Sequence, residues 1–388
     1  MKRFYLPLLL ILIGVGIGIF PNSCLKDNCS SSYRYKMYIP VYQTLPDIRA
    51  AVKLEGPQPV ENTGKIYFKD DFIYLNELGK GIHVIDDRNP ASPQNIAFIN
   101  IPGNMDMAVA GNILYADSYV DMLALDISDP RQVKITKRLD NVFPWRVSVS
   151  YGFGDKAIQQ AVITSFIERD TTIQQDCNTG RGGGIYFDNV NGGLMVPQTF
   201  ALSQGKAASP AALTGIGGSM ARFAILKNYL YTVSNDSLSL FNISNPPDPL
   251  KQSSLSLGMW IETIFPYNDH LFIGSQIGMY IFDASNPGNP VKEGTLLHDI
   301  MSCDPVVAQG NTAYVTLRTG SGSICHNGIN QLQVIDITHM DNPAMIATYN
   351  MTNPQGLAID GDKLIVCEGK GGLDFLNAAD PNHILTEK

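Results

Sequence analysis

The chain has 388 residues, 44% of them hydrophobic and only 16% charged, with a formal net charge of −8 and a sequence pI near 5.2. An acidic chain with no basic stripe interleaved with aromatics is not built to hold nucleic acid. Its 35 glycines and 23 prolines suit short strands joined by turns better than a helical core.

At the N-terminus, Lys2 and Arg3 precede an uncharged apolar run from Phe4 to Phe20. Such a run behind a short basic region reads as a signal peptide rather than a permanent span. Pro21-Asn22-Ser23-Cys24 resembles a lipobox with Cys24 as the lipid-bearing residue, although Pro21 and Asn22 depart from the usual aliphatic and small residues. The expected organisation is a lipoprotein signal peptide over 1–23, a lipidated tether over 24–36 and a folded array over 37–388. No second apolar run approaches the length of a span, so the mature chain should meet a membrane through lipid alone.

Met37 to Tyr42 and Ala50 to Leu54 then read as strands, and a repeated phrase begins: an apolar pair, an acidic or amide residue, and a turn closing on proline. It runs Val84-Ile85-Asp86-Asp87-Arg88-Asn89-Pro90, then Leu125-Asp126-Ile127-Ser128-Asp129-Pro130, Phe241-Asn242-Ile243-Ser244-Asn245-Pro246 and Phe282-Asp283-Ala284-Ser285-Asn286-Pro287. Ile335-Asp336 leading to Asn342-Pro343, and Leu376-Asn377-Ala378-Ala379-Asp380-Pro381, complete it. The interval is 40 residues from Asp86 to Asp126 and 41 from Asn242 to Asp283 and from Asp336 to Asn377. Between Asp126 and Asn242 sits a degraded copy, Gly184-Ile185-Tyr186-Phe187-Asp188-Asn189, which brings the expected number of units to seven. Fixed-period self-similarity marks an array whose units cannot bury their apolar faces alone.

Each unit has the same internal order. In the second, Met107-Ala108-Val109-Ala110, the turn pair Gly111-Asn112 and Ile113-Leu114-Tyr115-Ala116 form a hairpin pattern, and Met122-Leu123-Ala124-Leu125 leads into the phrase. Asp70-Asp71, Asn268-Asp269, Gly310-Asn311 and Gly361-Asp362 are the matching turn pairs elsewhere, residues that tolerate a left-handed backbone. Four strands in about 40 residues is the size of a propeller blade. The expected fold is therefore all-β, a seven-bladed β-propeller of four-stranded antiparallel blades. Closure is expected from an N-terminal strand, Ala50 to Leu54, serving as the outer strand of the last blade. The repeated Asp and Asn are expected to form turns, bonding backbone N–H groups two residues on, rather than to ligate metal.

Gly81-Ile82-His83-Val84-Ile85-Asp86, together with Asn330 and Leu332-Gln333-Val334-Ile335-Asp336-Ile337, resembles the LVIVD repeat of propeller-like lipoproteins from Bacteroidota and related bacteria. The resemblance covers about Met37 to Lys388 and fades between Val147 and Met220. It implies the fold and an exported, lipid-anchored state, with no common reaction and no catalytic residues to transfer. Cys24-Leu25-Lys26-Asp27 likewise resembles the lysine-plus-acid signal that sends such lipoproteins to the cell surface, so the expected location is the outer membrane, on its exposed side.

Function should sit where the repeat is interrupted, in loops carried by a rigid scaffold. Insertions fall near 151–219 and 318–330. Arg169, Asp170, Asp176 and Arg181 in Glu168 to Gly183, and His326 in Arg318 to Asn330, are the candidate binding-loop residues. Glu77, Asp117, Asn235, Arg318 and Glu368 follow the second strands of five units and are candidates for a polar ring at the channel mouth. Cys303 and Cys325 are placed for a disulfide across the sixth unit in an oxidising compartment. The histidines lack HExxH spacing, no G-x-S-x-G occurs, and no CxxC suggests zinc. The expectation is a non-enzymatic binding or scaffold protein without a cofactor, contacting a protein or a glycan. The alternative is a hydrolase or lyase at the channel mouth, using Ca²⁺ if the carboxylates converge.

Overall fold

The computed structural model describes residues 30–143, 161–176, 186–188, 193–197, 221–258, 260–298, 305–318 and 329–386. A long strand β1 (Ser30–Thr44) leads into helix α1 (Leu45–Ala51) and the short strand β2 (Lys53–Glu55). The first blade is β3 (Thr63–Lys69), β4 (Phe72–Glu77), β5 (Gly81–Asp86) and β6 (Gln94–Asn100). The second is β7 (Met107–Ala110), β8 (Ile113–Ser118), β9 (Asp121–Asp126) and β10 (Lys134–Leu139). Next come β11 (Ala161–Asp176), β12 (Tyr186–Asp188) and β13 (Gly193–Pro197). The third blade is β14 (Phe223–Leu226), β15 (Tyr229–Val233), β16 (Ser237–Asn242) and β17 (Leu250–Ser256). The fourth is β18 (Ile261–Tyr267), β19 (His270–Ser275), β20 (Gly278–Asp283) and β21 (Val291–Leu297). The fifth is β22 (Val306–Gln309), β23 (Thr312–Leu317), β24 (Gln331–Asp336) and β25 (Ala344–Asn350). The sixth is β26 (Leu357–Asp360), β27 (Lys363–Cys367), β28 (Leu373–Asn377) and β29 (Leu385–Thr386).

The molecule is thus a β-propeller of antiparallel four-stranded blades, six among the described residues rather than the expected seven. The expected extra unit fails at Asp188. Its strand β12 pairs with β13, which pairs with β1, and β1 pairs along its length with β11 in a separate sheet. One mark of the other units is missing here, since Gly184 to Asn189 lacks the closing proline. Instead, the β-branched residues Val162, Ile163, Thr164, Ile167, Thr171, Thr172 and Ile173 favour one long strand, and β1 supplies its partner.

The expected closure is also corrected. Strand β2 pairs with β6 as a fifth strand on the first blade, Lys53 opposite Asn100 and Glu55 opposite Phe98. The last blade takes its outer strand from its own sequence, Leu385 opposite Asn377. Helix α1 fixes β2 on the first blade, since Asn100 Nδ2 donates to the Ala51 carbonyl at 2.8 Å.

The repeated phrase does the same work in every blade. Asp86, Asp126, Asn242, Asp283, Asp336 and Asn377 each accept, through Oδ1, the backbone N–H two residues on. The residue after each of them donates its N–H to the second residue of the hairpin between the first two strands, as in Ile127 to the Asn112 carbonyl at 2.9 Å. Asp70, Gly111, Asn268, Gly310 and Gly361 open their hairpins with positive φ as expected, and Lys227 does so in the third blade. Phrase and hairpin therefore lock each other at one end of every blade.

Adjacent blades pack face to face through five apolar clusters. Ile82 and Leu123 belong to the cluster joining the first and second blades, Tyr115 and Phe241 to the second and third, and Leu240 and Ile273 to the third and fourth. Phe272 and Val315 join the fourth and fifth, and Val334 and Leu364 the fifth and sixth. None of these clusters joins the sixth blade to the first. There, among the described residues, Ile66 and Phe68 on β3 are 54% and 66% exposed, and Leu373 and Phe375 on β28 are 54% and 47% exposed. They lie on the faces turned away from the neighbouring clusters, because Tyr67 and Leu376 occupy those.

Candidate functional site

The first strand of a blade starts, and the second ends, on one face of the ring, so Glu77, Asp117 and Glu368 arrive there by topology. Each carboxylate turns onto the segment that enters its own blade. Glu77 accepts from the N–H groups of Glu61 (3.1 Å) and Asn62 (2.6 Å). Asp117 Oδ1 accepts from Met105 N–H at 2.7 Å, Asp106 N–H at 3.0 Å and Asn104 Nδ2 at 2.8 Å. Glu368 accepts from the N–H groups of Thr352 (3.3 Å) and Asn353. Three acids near the ends of second strands thus pin three entry segments.

Glu77 also meets a buried histidine. His83 Nε2 donates to Glu77 Oε2 at 3.1 Å, and Asn95 Nδ2 donates to His83 Nδ1 at 3.3 Å, an arrangement that places the ring proton on Nε2. The imidazole packs on Phe98, ring centres 4.8 Å apart. Burial alone would raise the Glu77 carboxyl, but the two backbone donors and His83 outweigh it and hold the group below its ordinary value.

The remaining candidates sit differently. Asn235 is exposed, with its carbonyl accepting from Ile261 N–H at 2.8 Å at the start of the next blade. Arg318 donates through Nη1 to Gln355 Oε1, and burial draws its guanidinium below its ordinary value while Glu262 acts in the opposite sense. In the fourth blade the same position holds Ser275 and the buried Gln276, whose Nε2 donates to Glu262 Oε1 at 3.3 Å.

Asp106, also missed, links three blades. Its Oδ2 accepts from Arg222 N–H at 2.5 Å and Phe223 N–H at 2.7 Å, at the first strand of the third blade. Its Oδ1 accepts from Met107 N–H at 2.7 Å and lies 3.3 Å from Nζ of Lys65 in the first blade. Lys65 Nζ donates in turn to the Phe223 carbonyl at 3.2 Å. No other blade has an acid directly before its first strand, so the repeat gives no signal for it.

The N-terminal sheet is fastened to the second blade. Arg49 on α1 binds Asp121 through Nε (2.7 Å) and Nη2 (3.0 Å), with Asp140 3.3 Å from Nη1. Leu45 and Ile48 pack with Val120 and Val162 beneath this ion pair. Of the candidate binding-loop residues, Arg169, Asp170 and Asp176 belong to β11, opposite Met37, Lys36 and Ser30, rather than to a loop. The β-branched run Thr171-Thr172-Ile173 carries the strand between them. Arg181 and His326 lie outside the described residues, as do Cys24 and the Cys303–Cys325 pair. Both insertions do enter on the face named above, one between β10 and β14 and one between β23 and β24.

Among the described residues no group of three or more His, Cys, Asp or Glu side chains is placed to hold a metal ion, and no helix is long and apolar enough to cross a membrane. No family model and no curated protein matches the chain. Its fold does match solved structures. A protein from Lactobacillus plantarum aligns over 92% of this chain and 96% of its own, with a TM-score of 0.54 at 12% identity. A chain of a mitotic checkpoint complex aligns over 87% and 80%, with a TM-score of 0.50 at 7% identity. Likeness at such identities is likeness of fold.

Proposed function

We propose that the chain is an exported, lipid-anchored propeller of the LVIVD type that binds a partner on its insertion-bearing face and carries no chemistry of its own at the channel mouth. The observation that supports this most is the engagement of the acids there. Glu77, Asp117 and Glu368 bind backbone N–H groups of their own blades, so each is committed to holding an entry segment in place. A general acid or base must instead reach a substrate proton. The signal-like run from Phe4 to Phe20 and the lipobox-like Cys24 support export and anchoring.

The test has two arms. Cys24→Ala should release the mature chain from the membrane fraction; continued lipid labelling of that variant defeats the assignment of the anchor. Deleting residues 177–185 or 319–328 leaves every described strand intact and should abolish capture of the native partner from detergent-solubilised membranes. Capture unchanged by both deletions defeats the insertion-face reading.

A further inference from the structure

Between the second and third blades, on the face that carries the insertions, a cleft of about 310 Å³ is lined by Val142, Phe143, Thr232, Ser234, Asp236, Ser237, Ser239, Lys251 and Ser254. That volume is at the lower end of the roughly 300–1,000 Å³ typical of small-ligand sites. Five of its walls are hydroxyl side chains. Ser239 and Ser254 share a hydrogen bond at 2.9 Å, and Ser234 and Ser237 share another at 2.5 Å. A hydroxyl offers one donor and two acceptor positions, so each of these pairs retains capacity for a ligand.

Thr232 is what makes the cleft more than a row of serines. It is 1% exposed, it lines the cleft, and its Oγ1 has no hydrogen-bond partner among the described residues. A buried hydroxyl left unsatisfied is uncommon in folded proteins. The strand alternation that places Leu230 in the core between these blades turns Thr232 to the same side. The rest of the packing here is apolar, with Phe143 against Phe223 at 6.0 Å between ring centres.

We propose that this cleft binds a neutral saccharide. A sugar ring both donates and accepts through its hydroxyls, matching walls that do the same, and its C–H faces suit the lining residues Val142 and Phe143. An inorganic anion only accepts. It would meet the Asp236 carboxylate, which already takes the Ser234 hydroxyl at 3.1 Å, opposite the single cation Lys251 of the lining set. The proposal rests on the binding reading above and supplies its ligand class.

The experiment uses the full mature chain and saturation-transfer NMR with glucose, galactose, mannose, N-acetylglucosamine and their linear trisaccharides, followed by calorimetry on any that respond. Thr232→Val keeps the side-chain shape and removes the orphan hydroxyl; it should fold as stably as the parent while losing at least tenfold in affinity. Ser254→Ala should lose affinity as well. Silence across the panel, or affinity unmoved by both substitutions, overturns the proposal, as does displacement of the sugar by millimolar inorganic phosphate in a manner abolished by Lys251→Ala. Sugar binding that survives deletion of residues 177–185 and 319–328 supports the cleft even where partner capture fails, so the two readings fall separately.

Discussion

Tyr115 in the second blade donates its phenol hydrogen to the Pro246 carbonyl of the third at 2.8 Å, and Tyr231 repeats the bond one blade on, to Pro287 at 2.7 Å. In these two phrases the closing proline therefore also receives the neighbouring blade. Burial pushes both phenols above their ordinary value, which favours the protonated, donating form.

Tyr115→Phe keeps the ring and removes only this bond, at an expected cost of about 1 kcal/mol. Tyr231→Phe should cost as much, and the two should add to within about 0.5 kcal/mol because they sit in different junctions. Urea unfolding of the single and double variants measures both. A double variant as stable as the parent would show that the latch contributes nothing.

The phrase also predicts an acid limit. Arg88 draws the Asp86 carboxyl down to about 2, and the backbone N–H of Ser128 lowers Asp126. The backbone N–H of Ser285 lowers Asp283, and the hydroxyl and then the backbone N–H of Thr338 lower Asp336. A carboxyl lowered in the folded state stabilises above its unfolded value and loses that contribution as the pH falls through its folded value. Stability should therefore decline between about pH 4 and pH 2, the interval from the ordinary carboxylate range down to Asp86. Asn242 and Asn377 make the same turn without titrating. Replacing Asp126, Asp283 and Asp336 together by Asn should flatten the pH dependence of the urea midpoint, and an unaltered slope would reject the linkage.

Removing Asp106 tests the link between the first three blades. Asp106→Ala strands the Lys65 ammonium and the N–H groups of Met107, Arg222 and Phe223, at an expected cost of about 3–5 kcal/mol. Asp117→Asn retains an acceptor for its own entry segment and should cost less. Chemical denaturation ranks the two, and the reverse order would contradict the bridging role.

At the junction between the sixth blade and the first, the prediction is one of indifference. Phe68→Ser and Phe375→Ser remove exposed rings and should change stability by no more than about 0.5 kcal/mol, whereas Phe241→Ala in a buried cluster should cost about 3–5 kcal/mol. Binding of a hydrophobic dye to the folded protein should fall in the two serine variants. A large loss of stability at Phe68 would mean that its ring is covered in solution.

Much of this was legible in the sequence because it is local. The Asx bond at Asp86 and its five counterparts needs only an Asp or Asn two residues before a free N–H, and the left-handed openings at Gly111 and Gly310 need only the right residue type. What escaped was set by partners distant in sequence. Nothing near Asp188 announces that its strand is drawn into the β1 sheet, and nothing near Lys53 says that β2 joins β6 rather than the last blade. The acids after the second strands were found by position, but their chemistry depends on entry segments about 12 to 16 residues upstream in sequence, as with Asp117 and Met105 or Glu77 and Glu61. Gln276 and Asp106 break the repeat, so periodicity is blind to them.

Among the described residues no apolar cluster bridges the sixth blade and the first, so these blades form a row with two ends more than an endless belt. In such a row each blade draws its stability from nearest neighbours, and an end blade has only one. The sixth should then open first, with amides of β27 and β28 exchanging hydrogen faster than those of β15 and β16. A ligand that covered the exposed rings of Phe68 and Phe375 would slow that exchange at both ends together.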